Sequence, residues 1–119
     1  MTRVAPTVTG HQAEEAAAQW LVGQGYEIVA RNWRTRFCEL DIICRRSGCI
    51  HIVEVKYRAT DRFGSPLEYI TYDKRLRLMR AAQAWVQTNR YSGPYQIDAV
   101  SVLGPLTNPR ISQVETITA

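Results

Sequence analysis

Hydrophobic and polar positions change their period along the chain, and the changes predict the elements. From Thr9, apolar residues recur at Ala13, Ala16, Ala17, Trp20 and Leu21. That is the i, i+3, i+4, i+7, i+8 spacing of a helix with one buried stripe. Thr9 and Gln12 have capping-box spacing at its start, and Gly23 or Gly25 stops it. Residues 26–33 read as a strand. Two apolar-rich runs, 39–44 and 49–57, flank the polar turn Arg45-Arg46-Ser47-Gly48, which is a hairpin signature. Ser65-Pro66-Leu67-Glu68 is a helix-start signal, and Thr71 caps a longer helix running to about Asn89. Leu78, Met79, Ala82, Trp85 and Val86 form its buried stripe. After a turn at Ser92-Gly93-Pro94, residues 95–103 form a strand and residues 111–117 a last short one. Residues 1–8 are expected to be a flexible tail and 9–119 a single domain.

The order is therefore α-β-β-β-α-β-β. Hairpins plus one strand–helix–strand crossover predict an α/β fold, a mixed sheet flanked by helices. With 119 residues, 45% of them hydrophobic, the chain can bury a core, which argues against wholesale disorder. No apolar run approaches the ~20 residues of a membrane span, and the N-terminus lacks a signal-peptide core. The expectation is a cytoplasmic protein with no membrane partner. Cys38, Cys44 and Cys49 are an odd set without a Cys-x-x-Cys pair, so free thiols are expected rather than disulfides or structural zinc.

Charge changes this picture at the hairpin. Glu39 and Asp41 lie two apart on its first strand, Glu54 and Lys56 two apart on its second. Residues two apart share a strand face. If the hairpin turns both pairs to one side, three carboxylates and an ammonium converge inside Ile- and Val-rich strands. Like charges there are costly, and a divalent cation resolves the conflict. Mg²⁺ takes oxygen ligands and suits phosphodiester cleavage. The plainer reading of Glu-x-Lys is an exposed edge with a cross-strand ion pair. Glu14, at the border of the first helix's stripe, reads as a first-turn acid or as an extra acid reaching toward the hairpin. His51 reads as a packed or surface histidine and Asp98 as a structural or edge acid.

The net charge of +4 and isoelectric point near 9.2 permit an anionic partner. Arg31, Arg34 and Arg36 interleave with Trp33 and Phe37, a mixture that suits a phosphate backbone with exposed bases. It reads equally as a solvated strand end with Trp33 anchored in the core. Lys74, Arg77 and Arg80 recur along the second long helix, a stripe that either is solvated or grips phosphates.

These pieces together resemble a known group. Asp41 followed one strand later by Glu54-Val55-Lys56 resembles the acid and (D/E)-x-K signature of the restriction-endonuclease-like nuclease superfamily. The closer resemblance is to the YraN-like bacterial family, similar to archaeal Holliday-junction resolvases. It rests on Gly10-His11-Gln12-Ala13-Glu14, Asn32-Trp33-Arg34, Glu39-Leu40-Asp41-Ile42-Ile43, Val53 to Arg58, Phe63-Gly64, Lys74 and Ile97-Asp98-Ala99-Val100. The chain departs from the pattern at Cys38 and Ala13, where Gly is usual. The resemblance implies a restriction-endonuclease-like fold and a Mg²⁺-dependent nuclease, with Mn²⁺ as a substitute. It implies DNA as partner, branched or repair and recombination intermediates as substrates, and a homodimer. By the same resemblance Asp41, Glu54 and the Val55 carbonyl are metal ligands, Lys56 the catalytic lysine and Glu14 an assisting acid. Arg34, Arg36, Arg58, Lys74 and Arg77 are the expected nucleic-acid contacts. The alternative from another class is a nucleic-acid-binding or scaffold protein that keeps the fold without the chemistry.

Overall fold

Ser47 and Gly48 alone reverse the chain at the hairpin, with φ of +53° and +74°. Positive φ at both central residues is what a two-residue turn between right-twisted strands requires. Arg45 and Arg46, expected in the turn, instead continue the strand. The computed structural model describes residues 8–62, 64 and 70–118. Residues 1–7 of the expected 1–8 tail and the helix-start signal at 65–68 lie outside them.

The elements are α1 (Val8–Gly23), β1 (Glu27–Arg34), β2 (Glu39–Arg46), β3 (Cys49–Arg58), α2 (Tyr72–Thr88), β4 (Tyr95–Leu103) and β5 (Arg110–Val114). The predicted order holds. Val8 already belongs to α1, so Thr9 sits inside the helix and is not its cap. The last strand starts one residue early and ends at Val114 rather than 117. The five strands form one sheet in the order β1-β2-β3-β4-β5. All neighbours are antiparallel except β3 and β4, which α2 connects in parallel.

Both helix ends show why the sequence stops and starts where it does. Gly25, at φ +92°, lets the Tyr26 amide reach Leu21 O and its own amide reach Val22 O, both at 3.0 Å. This paired closure satisfies carbonyls that the helix end would otherwise orphan. Thr71 keeps an extended backbone and its hydroxyl accepts from the Lys74 amide, capping α2 as expected.

Each helix covers one face of the sheet. α1 lays Ala13, Ala17, Ala18 and Leu21 against Ile42, Cys44, Val53, Val100 and Val102. Its predicted stripe is slightly rotated: Ala18 is buried, while Ala16 and Trp20 are only partly so. α2 lays Leu78, Ala81, Ala82 and Trp85 against Leu40, Ile43, Ile50, Ile52 and Ile97, with Met79 and Val86 at the margin. Residues of the central strands β3 and β4 are thus buried from both sides, which is why they read as near-continuous apolar runs.

One irregularity shapes the site. Leu40 and Ile43 both pack on the α2 side although they are three apart, as do Ala30 and Trp33 on β1. Strict alternation forbids this. Asn32 takes φ +51°, a left-handed conformation that Asn tolerates better than most residues, and the phase of both strands slips around it. The β2–β3 ladder pairs Ile42 with Val53 through Arg46 with Cys49, while Leu40 and Glu39 pair with β1 alone. Asp41 stands where β2 leaves β3.

Candidate metal centre

The opening between β2 and β3 is filled by a carboxylate. Asp41 Oδ2 accepts from the Val55 amide at 2.8 Å, closing the ladder with a side chain. Burial pushes the Asp41 carboxyl well above its usual range, and a hydrogen bond and repulsion from Glu54 push it further, with Glu14 adding to the repulsion. The Val55 amide opposes these effects.

Asp41 is reached from both layers. On one side, carboxylate oxygens of Glu14, Glu39 and Asp41 lie within 4.8 Å of one another. Asn32 Nδ2 donates to Glu14 at 2.6 Å and to Glu39 at 3.0 Å, holding those two acids together. On the other side stands Glu54, whose side chain is 5% exposed. Lys74 Nζ of α2 lies 3.3 Å from Glu54 Oε2. The contact lacks hydrogen-bond geometry, and this buried oxygen has no hydrogen-bond partner among the described residues. An orphaned buried carboxylate oxygen beside a proton-hungry Asp41 fits a hard divalent cation, which prefers such oxygens. Lys56 is half-buried and, by alternation along β3, shares the face of Glu54.

The expected residues therefore divide. Asp41 meets Glu14 and Glu39 on one side and Glu54 on the other, so Glu39 does not share the face of Glu54 as the hairpin reading expected. Lys74, expected as a phosphate contact, is the counter-ion of Glu54. Arg34 is exposed and reaches Glu39 Oε2 at 3.9 Å. Arg36 is exposed and lies over the Phe37 ring, 5.0 Å from its centroid. Arg77 is exposed on α2, and Arg58 is exposed at the end of β3, donating to the Tyr57 carbonyl at 3.1 Å. Sequence reading missed Asn32 as the residue that orients Glu14 and Glu39. An Asn, a residue depleted in strands, inside the predicted strand was the available signal.

A second polar cluster lies against the α1 layer. His51 and Asp98 are both buried, with His51 Nδ1 2.6 Å from Asp98 Oδ2. Gln113 Nε2 donates to Asp98 at 2.9 Å, Gln96 Nε2 at 2.9 Å and the Thr116 amide at 3.0 Å. Tyr26 packs edge-on to His51, and Gln113 also donates to its hydroxyl. The reading of His51 as packed and Asp98 as structural agrees with this arrangement.

The sequence profile of the uncharacterised protein family UPF0102 matches residues 13–102. The chain belongs to that family. A UPF0102 protein of Leifsonia xyli subsp. xyli is 42% identical over 110 residues, covering 91% of this chain and 93% of the relative. One of Clavibacter michiganensis subsp. michiganensis is 45% identical over 97 residues, covering 81% and 82%. One of Nocardia farcinica is 46% identical over 97 residues, covering 79% and 75%. The UPF0102 match takes in Glu14, Asn32, Glu39, Asp41, Glu54, Lys56 and Lys74, so the whole candidate centre lies inside it. Gln113 and Thr116, which complete the second cluster, lie beyond it. No helix of the described residues is long and apolar enough to cross a membrane.

Proposed function

We propose that this UPF0102 chain is a metal-dependent nuclease of the restriction-endonuclease-like superfamily, hydrolysing phosphodiester bonds in DNA. Branched and repair or recombination intermediates are the substrates to test first. One observation carries the reading: Asp41 and Glu54 are forced together at the mouth of a sheet opening, and the pair retains a buried oxygen without a hydrogen-bond partner.

Asp41, Glu54 and the Val55 carbonyl would hold Mg²⁺ or Mn²⁺. A strand residue turns its amide and carbonyl toward the same edge. The Val55 amide faces Asp41, so its carbonyl is turned to the same opening. Bound there, the ion would supply polarisation of the phosphoryl group and a more nucleophilic water. The chain's own residues supply the rest. The Val55 amide fixes the Asp41 rotamer. Lys56 meets the charge that develops on the phosphate oxygens or orients the attacking water. Glu14, fixed by Asn32, adds an acceptor on the α1 side. Arg34, Arg36, Arg58 and Arg77 meet backbone phosphates. Paired symmetric cuts would need two copies of the chain.

The ion pair of Lys74 with Glu54 favours a second reading, in which a lysine substitutes for the cation and the fold only binds nucleic acid. One panel separates the two. The purified chain is given linear, flap and four-way DNA in Mg²⁺ or Mn²⁺, and binding is measured in Ca²⁺. Cleavage that falls at least about a thousandfold in Asp41→Asn and in Lys56→Ala, with unchanged circular dichroism, supports the nuclease. Cleavage unchanged in both variants refutes the site. Salt-sensitive binding without cleavage selects the second reading.

A further inference from the structure

A cleft of about 440 Å³ opens between the turn that follows β1 and the outer side of α2. Its walls include Trp33, Arg34 and Arg36 from the turn side and Arg80, Gln83 and Gln87 from the helix. None of the described residues lining it is acidic. We infer that this cleft seats one unpaired nucleotide of the DNA strand whose phosphate lies at Asp41 and Glu54. The strand's course rests on the nuclease reading; the cleft's chemistry does not.

Four features point to that occupant. The volume lies in the range of small-ligand sites, large enough for a base and its sugar. Trp33 and Phe37 are half-buried and anchored in the α2-side core, so they present ring surface without ordering a free side chain. Bases stack on such rings and on guanidinium planes. Gln83 and Gln87 are one helical turn apart and carry both donor and acceptor atoms for a base edge. The turn is also held in shape beforehand. Thr35 Oγ1 accepts from the amides of Phe37 and Cys38 at 3.0 and 3.1 Å and donates to the Cys38 carbonyl at 2.7 Å. A site ordered in advance loses less entropy when it is filled.

The cleft lies on the approach to the acid cluster. Phe37 lines it, and its neighbour Cys38 senses the charges of Lys74, Glu54, Arg77 and Asp41. Along α2, Lys74, Arg77, Arg80 and Gln83 follow every three residues, so each step turns about 60° around the helix. The path leads from Glu54 outward and rises roughly 14 Å between Lys74 and Gln83. At about 3.4 Å per stacked nucleotide that is about four positions, and fewer if the strand is stretched.

The test is binding by the wild-type chain in EDTA, where metal-dependent cleavage is silent, using fluorescein-labelled flap DNA and a matched blunt duplex. Abasic sugars are placed at successive unpaired positions of the flap. One position, about two to four nucleotides from the junction, should weaken binding at least about fivefold, the others little. Arg36→Glu/Arg80→Glu should weaken flap binding at least about tenfold and flatten its salt slope by about 1.4, while duplex binding falls less. Gln83→Ala/Gln87→Ala, both at exposed positions, should remove the single-position abasic effect with the salt slope unchanged. Equal losses on flap and duplex, no positional dependence, or displacement by polyglutamate as effective as by oligo-dT would overturn the inference and leave a general polyanion surface. Positional dependence in a chain that never cuts DNA in Mg²⁺ would retain the cleft and remove the nuclease.

Discussion

Glu54 and Asp98 lie on neighbouring parallel strands, with Glu54 beside Ala99 and Asp98 beside Val53 in the register. Both are buried carboxylates, one meeting α2 through Lys74, the other in the layer of Tyr26 and His51. Their surroundings differ in one respect. Asp98 receives four hydrogen bonds, from His51, Gln96, Gln113 and the Thr116 amide. A carboxylate can only accept, which puts the imidazole proton on His51 Nδ1. Glu54 faces another carboxylate and a lysine out of hydrogen-bond alignment, and keeps an oxygen without a hydrogen-bond partner. A buried charge fully supplied with donors is a structural tie. One left short of donors, beside a like charge, is where the proposed cation would be held.

Removing the satisfied carboxylate should do the most damage. Asp98→Ala strands four donors and should cost about 3–5 kcal/mol in urea unfolding. A loss under about 1 kcal/mol would erase the contrast. The crowded carboxylate should behave in the opposite way. Asp41→Asn is expected to raise stability by about 0.5–2 kcal/mol and to abolish any rise in Tm on adding Mg²⁺ or Ca²⁺. A destabilised variant would mean that Asp41 is another structural tie.

The third test uses pH. The folded-state pKa of Asp41 lies above its unfolded one, so the folded chain binds more protons. Without metal, stability should fall as pH rises from the unfolded carboxyl range, about 3.9, through the raised value. That fall should be missing in Asp41→Asn. Divalent cation should restore the loss, and restore more of it at higher pH. A Tm that rises over that window, and rises equally in Asp41→Asn, would contradict the assignment. The smallest expected effect is at the rim of the tie. Gln113→Ala removes one of four donors to Asp98 and one bond to Tyr26, and should cost about 0.5–1.5 kcal/mol. A cost near that of Asp98→Ala would show that the network acts as one unit rather than as separate bonds.

The two carboxylate sites were legible in the sequence to different degrees. Asp41, Glu54 and Lys56 stood out because charges two apart in an Ile- and Val-rich run break a pattern that burial otherwise explains. Asp98 broke its strand's pattern in the same way, yet of its donors only Gln96 is local, and the others come from residues 15 and 18 positions later and 47 earlier. No local spacing announces such partners. Lys74 shows the same limit. Its place on a basic stripe was plain, but the sequence did not reveal that it turns inward to Glu54.

By itself the sequence determined the order of elements, the helix stop at Gly23 or Gly25, the helix start at Thr71, and the acids that share a strand, because period, caps and turn chemistry act within a few residues. The tertiary structure decided that β2 leaves β3 at Asp41 and that Asn32 shifts the strand phase there. It also decided which buried carboxylate finds four donors and which finds another carboxylate. Those outcomes depend on strand register and on which layer covers each face, and both are settled by contacts between distant parts of the chain.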